Sequence, residues 1–330
     1  MQKGMAEKKE LVLSTLGKYM LKFAVVALCA YIIYEQFSHL GNSAAQRDVM
    51  LLGIKTKGYL LAIAFLLMPL NWFLETKKWQ ILLAEISFQP FFKLLKAVLQ
   101  GVMVGTVTPW RMGEFVGRTF ELERSEAAKS FYFSALGGMA QAFVTALVGL
   151  FFLPWFYPSA WLVVFSALVC SGLLVAYFFF HKLPLRFYFF QKKAGAWLVQ
   201  PSFAKLLYVL LLSLLRYGVY LTQWILVAYT FAVHDNILFL AAGVAVTLLF
   251  QSISPALPFF DLAVRSGISL FVFANISSNP IAVLLSTITI WLMNIAIPAI
   301  IGIIFFIKNK WWATSLTSAS QANVEHFHSK

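Results

Sequence analysis

Six apolar runs, each about long enough to cross a hydrocarbon core some 30 Å thick, leave this chain one class of fold. They are Leu21–Phe37, 58–74, 130–153, 160–180, 204–232 and 280–307. Within hydrocarbon every backbone N–H and C=O has to be satisfied inside its own segment, so such runs are helices. Composition agrees, with 61% hydrophobic and 12% charged residues where soluble domains have about 45–50% and about 25%. The expected fold is all-α and integral to a membrane. One transmembrane domain would cover 1–310, with a polar tail over 311–330.

Two further apolar stretches do not fit a simple span. Phe91 to Arg118 is 28 residues, whereas crossing twice needs about 40. Lys96 to Thr108 as helix rises roughly 18 Å, enough to reach the middle of the core. Thr108, Pro109 and Gly113 mark a break there, since proline removes a backbone donor and glycine admits close approach. Residues 237–275 are likewise broken at Pro255 and Pro258. Both segments read as re-entrant, broken-helix hairpins, added to about six full spans. The first hairpin carries Arg111, Glu114 and Arg118, and the second Asp261 and Arg265. Charge on a broken helix in hydrocarbon is costly unless it lines a cavity, so these residues are candidates for a functional site.

Net charge is +13, and the lysines and arginines fall mostly in loops that this count places on one side. The positive-inside rule makes that side cytoplasmic. A multi-pass protein of the cell (plasma or inner) membrane with both termini in the cytoplasm is expected. The loop at 39–57, with Arg47, Lys55 and Lys57, is the exception. Leu21–Phe37 is long for a signal-peptide core of about 7–15 residues and reads as an uncleaved first span. Nucleic-acid binding is excluded as a use of the basic charge, because no basic region lies outside the membrane to carry it. Asn71, Trp72 and Lys77-Lys78-Trp79 read as an interfacial cluster closing the second span.

The chain also repeats itself. Leu70-Asn-Trp72 with Trp79 nine after Leu70 matches Leu215-Arg-Tyr217 with Trp224 nine after Leu215. Glu114 and Asp261 follow those tryptophans by 35 and 37 residues, and each has an arginine four further on, Arg118 or Arg265. Glu114–Arg118 and Asp261–Arg265 therefore fall on one helical face as ion pairs. Gln141, Ala146 and Gly149 match Asn294, Ala299 and Gly302 at identical spacing. The span count gives the two units, about 58–153 and 204–307, opposite orientations. That is the inverted-repeat design, in which broken helices from both sides meet around a substrate near the midplane.

Thr108-Pro109-x-Arg111-x-Gly113-Glu114, followed by Arg118, resembles the Thr-Pro-Gly-Arg-x-Gly-Glu signature of the flippase-like membrane family, also called the lysylphosphatidylglycerol synthase transmembrane region. The Asn71/Trp79 segment and a second proline-containing motif before an acid (Pro255, Pro258, Asp261) resemble it too. The likeness covers roughly residues 15–310. Trp110 stands where that family usually has glycine, and Ala256-Leu257 with Phe259-Phe260 replace the glycines of the second motif. The resemblance implies a stand-alone flippase-like protein without the soluble synthase domain.

Arg111, Arg118, Arg216 and Arg265 are the candidate anion ligands, because a guanidinium fork fits phosphate bidentately and stays charged when buried. Glu114 and Asp261 would balance them in the empty site and are candidates to carry a coupling proton. The same acid–arginine pairs would also serve as structural staples between the hairpins. Asn71, Gln141 and Asn294 read as helix-to-helix hydrogen bonds. No metal or cofactor is expected: the five histidines (His39, His181, His234, His326, His328) have no carboxylate or cysteine at ligand spacing. The leading expectation is transport of an anionic phospholipid or polyprenyl phosphate headgroup. It leaves room for a homo-oligomer or for a separate synthase or energy-coupling partner. An integral-membrane lipid or glycan transferase, or an accessory subunit of one, is the alternative.

Overall fold

The structure is a computed structural model, and it describes residues 31, 43–85, 87–123, 125–179, 201–254, 260–274 and 276–308. Among these every regular element is helical. The helices are α1 (Ser43–Lys57), α2 (Tyr59–Leu83), α3 (Phe91–Thr106), α4 (Gly113–Gly117), α5 (Ala127–Phe156), α6 (Ala160–Phe179), α7 (Phe203–Thr230), α8 (Ile237–Ile253), α9 (Asp261–Phe273), α10 (Pro280–Trp291) and α11 (Ile297–Lys308). Among the described residues five helices are long and apolar enough to cross a membrane: Tyr59–Leu83, Lys129–Phe156, Ala160–Phe178, Phe203–Thr230 and Pro280–Lys308. They match five of the six expected spans, and Leu21–Phe37 lies outside the described residues apart from Tyr31. Pro255 and Pro258, the expected breaks of the second hairpin, and the 311–330 tail lie outside them as well.

Two expectations about the helices need correction. The stretch 39–57 is not simply a loop, because Ser43–Lys57 is helical. It seats on the end of α7, where Lys57 stands 3.7 Å from the centre of the Tyr229 ring. Asn71, Trp72, Lys78 and Trp79 are not interfacial either. They are buried, Lys78 and Trp79 to 1% exposure, because α2 continues to Leu83. Lys78 finds a carboxylate one turn back on the same helix, at Glu75.

The centre of the molecule is an antiparallel pair, α2 against α7. Residues rising along one helix meet residues falling along the other. The Thr230 hydroxyl donates to the Lys57 carbonyl (3.5 Å), Gln223 Nε2 to the Ala64 carbonyl (2.8 Å), Arg216 Nε to Asn71 Oδ1 (3.0 Å) and Lys205 Nζ to Glu85 Oε1 (2.5 Å). Around this pair the contacts repeat when the two halves are exchanged. The first hairpin helix α3 packs on α11 of the second half, and α8 of the second hairpin packs on α5 of the first. Two glycines make these seats close enough. A Cβ on Gly302 would fall 2.7 Å from the Leu99 carbonyl carbon, and one on Gly149 would fall 3.0 Å from the Ala245 oxygen. Gly149 and Gly302 are the pair matched by sequence, and they touch corresponding points of the two hairpins. Trp79 and Trp224, also matched, are each buried inside a separate apolar cluster, one with Leu94 and Val98, the other with Val227 and Val244. Large rings at these two points supply much of the apolar burial that fixes the halves.

Candidate functional site

The first hairpin is built by its break. After α3, the Thr108 hydroxyl donates to the Val104 carbonyl (3.0 Å) and accepts from the Gly113 amide (2.9 Å), stitching the end of one helix to the start of the next. Pro109 opens a short 3-10 turn, Pro109–Arg111. Trp110 and Arg111 both adopt left-handed backbone, φ 58° and 54°, a conformation that usually calls for glycine. Trp110 thus holds a glycine-like backbone where the motif has glycine, and the residue is 62% exposed. The turn returns Arg111 to Glu114, whose Oε1 accepts from Arg111 Nε at 2.7 Å and pairs with Arg111 Nη2 as well.

The second hairpin closes the other side. Asp261 opens α9, and its Oδ2 accepts from Arg265 Nε at 2.9 Å and from Trp291 Nε1 at 3.0 Å. Arg265 Nη1 then donates to Gln251 Oε1 of α8 at 2.9 Å. Arg111 of the first hairpin and Asp261 of the second lie within electrostatic range of each other.

Between the hairpins lies a cavity of about 290 Å³. Of the expected residues, Arg111, Glu114, Arg118, Arg216 and Arg265 line it, along with Asn71, Gln141 and Asn294. Asp261 reaches it through Arg265, and Thr108, Pro109 and Gly113 shape the first hairpin that walls it.

The floor of the cavity is a residue that sequence reasoning did not single out. Glu75 of α2 is buried, 4% exposed. Its Oε1 pairs with Arg118 Nη2 at 2.7 Å, and its Oε2 with Lys78 Nζ at 2.7 Å and Arg216 Nη1 at 3.1 Å. Arg118 therefore pairs with Glu75 in place of Glu114, against the expected i,i+4 bridge. Spacing is not the cause, since the Arg118 amide still meets the Glu114 carbonyl as in an α-helix; Glu114 is held by Arg111, and Arg118 reaches across to Glu75 on α2. Without Arg118, moreover, Glu75 would lose its closest arginine. The expected Asp261–Arg265 pair does form, because both lie within α9. The guanidiniums of Arg118 and Arg216 also sit 5.5 Å from the ring centres of Trp79 and Trp72, so indole faces hold the forks in place.

The three amides join the two halves. Asn71 Nδ2 donates to Asn294 Oδ1 at 2.9 Å, and Arg216, the counterpart of Asn71, donates to Gln141 Oε1 at 3.3 Å. Asn294 sits in a π-helical turn, Leu292–Ala296, between α10 and α11. Such a turn re-aims a side chain inside a helix. Glu75 carried one usable signal, its position four after Asn71 and three before Lys78, on one face of one helix.

Among the described residues no group of three or more His, Cys, Asp or Glu could hold a metal ion. What the arrangement supplies is guanidinium forks from both halves around one space, which is chemistry for an oxyanion.

Residues 19–302 match the family described as the lysylphosphatidylglycerol synthase TM region. The match takes in both hairpins and every residue lining the cavity. The search of curated proteins finds no match to the chain.

Proposed function

This chain belongs to the lysylphosphatidylglycerol synthase TM region family, multi-pass membrane proteins tied to lipid metabolism or transport, and from that premise we propose that it flips an anionic lipid or lipid-linked phosphate headgroup across the bilayer. The observation that carries the reading is the cavity itself, in which Arg111 and Arg118 of one half and Arg216 and Arg265 of the other line a single space. A headgroup crossing hydrocarbon alone faces a large desolvation penalty, and a polar site fixed at mid-depth lowers it. Two broken hairpins, entering from opposite faces as re-entrant elements, would let the site open to one leaflet and then the other. On this reading residues 1–310 form one transporting domain with repeat units at about 58–153 and 204–307, 311–330 is a tail, and the protein resides in the cell membrane with both termini cytoplasmic.

Each acid of the site is tied to an arginine, Glu75 to Arg118 and Arg216, Glu114 to Arg111 and Asp261 to Arg265. That favours binding over general-base catalysis of a lipid or glycan transfer, which needs a carboxylate free to take the substrate's proton.

Reconstitution tests the proposal. Vesicles containing the protein should exchange fluorescent anionic lipids between leaflets faster than empty vesicles, leaving the headgroup chemically unchanged. Arg118→Lys and Arg265→Lys should both abolish the gain, because a point charge does not reproduce the fork. Equal exchange in protein-containing and empty vesicles across several anionic headgroups would remove the transport reading. A chemically altered headgroup would replace it with the transferase.

A further inference from the structure

The charges of the site are not evenly balanced. Arg111 with Glu114, and Arg265 with Asp261, are each neutral pairs. Glu75 differs, for one carboxylate meets Lys78, Arg118 and Arg216. The whole excess of two positive charges is thus concentrated at one end of the cavity. Lys78 and Arg118 are buried there to 1% and 5% exposure, where uncompensated charge is heavily penalised. Arg118 also keeps a buried Nε without a hydrogen-bond partner. Arg118 and Arg216 line the cavity and Lys78 does not.

An excess of two charges calls for an anion with two. A terminal phosphate carries about −1.5 to −2 near neutral pH, with its second ionisation at about pH 6 and three strong acceptor oxygens. A phosphodiester carries only one charge. Resting on the headgroup reading above, we infer that the cavity selects a doubly charged terminal phosphate, seated on Arg118 and Arg216 beside Glu75. Lys78 acts as a positioning residue, setting the charge of the seat from behind without touching the ligand. The shared chemistry is the terminal phosphate, whether on a phosphomonoester lipid or as free phosphate.

The full chain, purified in a neutral detergent at about pH 7, above that second ionisation, is titrated with four probes. These are short-chain phosphatidic acid (a monoester), phosphatidylmethanol (a diester), phosphatidylcholine and inorganic phosphate. Phosphatidic acid should bind about tenfold or more tighter than phosphatidylmethanol, the scale set by one extra charge a few ångströms from a buried cation. Lys78→Met should bring the two lipids to near equality while the unliganded protein resists heat at least as well as before. Arg216→Met is the second variant, needed if Lys78→Met does not fold. It should erase the same preference and weaken both lipids.

Equal binding of the two anionic lipids by the wild type, both above phosphatidylcholine, overturns the selection of a terminal phosphate and leaves the headgroup reading standing. Binding of neither above phosphatidylcholine overturns both. Inorganic phosphate matching phosphatidic acid supports the seat and overturns its lipid source. An undiminished preference in both variants overturns the role given to the Glu75 cluster.

Discussion

Arg216 donates through Nε to Oδ1 of Asn71 at 3.0 Å, and these two residues hold the same position in the two halves of the chain. A contact between equivalent positions on two antiparallel helices places a pseudo-twofold axis between them. The antiparallel course of α2 and α7, with Ala64 at Gln223 and Glu85 at Lys205, makes that axis relate halves of opposite direction. The amides follow: Asn71 reaches Asn294 as Arg216 reaches Gln141. The symmetry breaks in chemistry, since an asparagine faces an arginine across the axis, and Glu75 lies beside it with Lys78, Arg118 and Arg216.

Glu75→Gln should therefore be the most damaging single change in the site. It leaves Lys78 and Arg118 buried without their carboxylate, a loss of about 3–5 kcal/mol by comparison with other broken buried pairs. Glu75→Gln combined with Lys78→Met should recover part of it, because one stranded charge is then gone. Thermal unfolding of the two purified proteins measures the difference. Equal stability of Glu75→Gln and wild type would contradict the cluster as described.

Substitutions at the glycines separate close approach from open surface. Gly302→Ala places a methyl against the backbone at Leu99 and Gln100 and should destabilise by about 1–3 kcal/mol, as overpacking does. At Gly172 and Gly218 an added Cβ would meet nothing within 4 Å. Their replacement by Ala should be neutral, or stabilising by up to about 1 kcal/mol through helix propensity. Unfolding midpoints of the three variants give the comparison directly.

Trp110 tests the turn. Its left-handed backbone disfavours any residue with a Cβ by roughly 1–2 kcal/mol, and its ring is largely exposed. Trp110→Gly should keep or slightly raise stability. Trp110→Val should lower it, since a branched side chain tolerates positive φ worst. A loss of stability in Trp110→Gly would mean that the indole holds the hairpin through contacts of its own.

Much of this was readable in the residues. Apolar run lengths gave five helices now seen to be long enough to span, and Pro109 gave the break of the first hairpin. The spacing of Trp79 and Trp224, and of Gly149 and Gly302, gave the relation between halves. The Glu75 cluster was hidden because its arginines come from far away in sequence, Arg118 across 43 positions and Arg216 from the other half of the chain. Lys77-Lys78-Trp79 near the end of an apolar run looks like a membrane boundary until the partner of Lys78 is known. The Glu114–Arg118 bridge does not form although helical spacing persists to Arg118, because Arg111 takes Glu114 from within the turn and Glu75 takes Arg118 from another helix.

The central claim is that the space between the hairpins holds an oxyanion. Crystals of the full chain soaked in tungstate, a doubly charged tetrahedral oxyanion with strong anomalous scattering, test it most directly. The account predicts an anomalous peak inside the cavity, in contact with Arg118 and Arg216, and its disappearance in Arg216→Met. Peaks confined to surface lysines, with none between the hairpins, would contradict it.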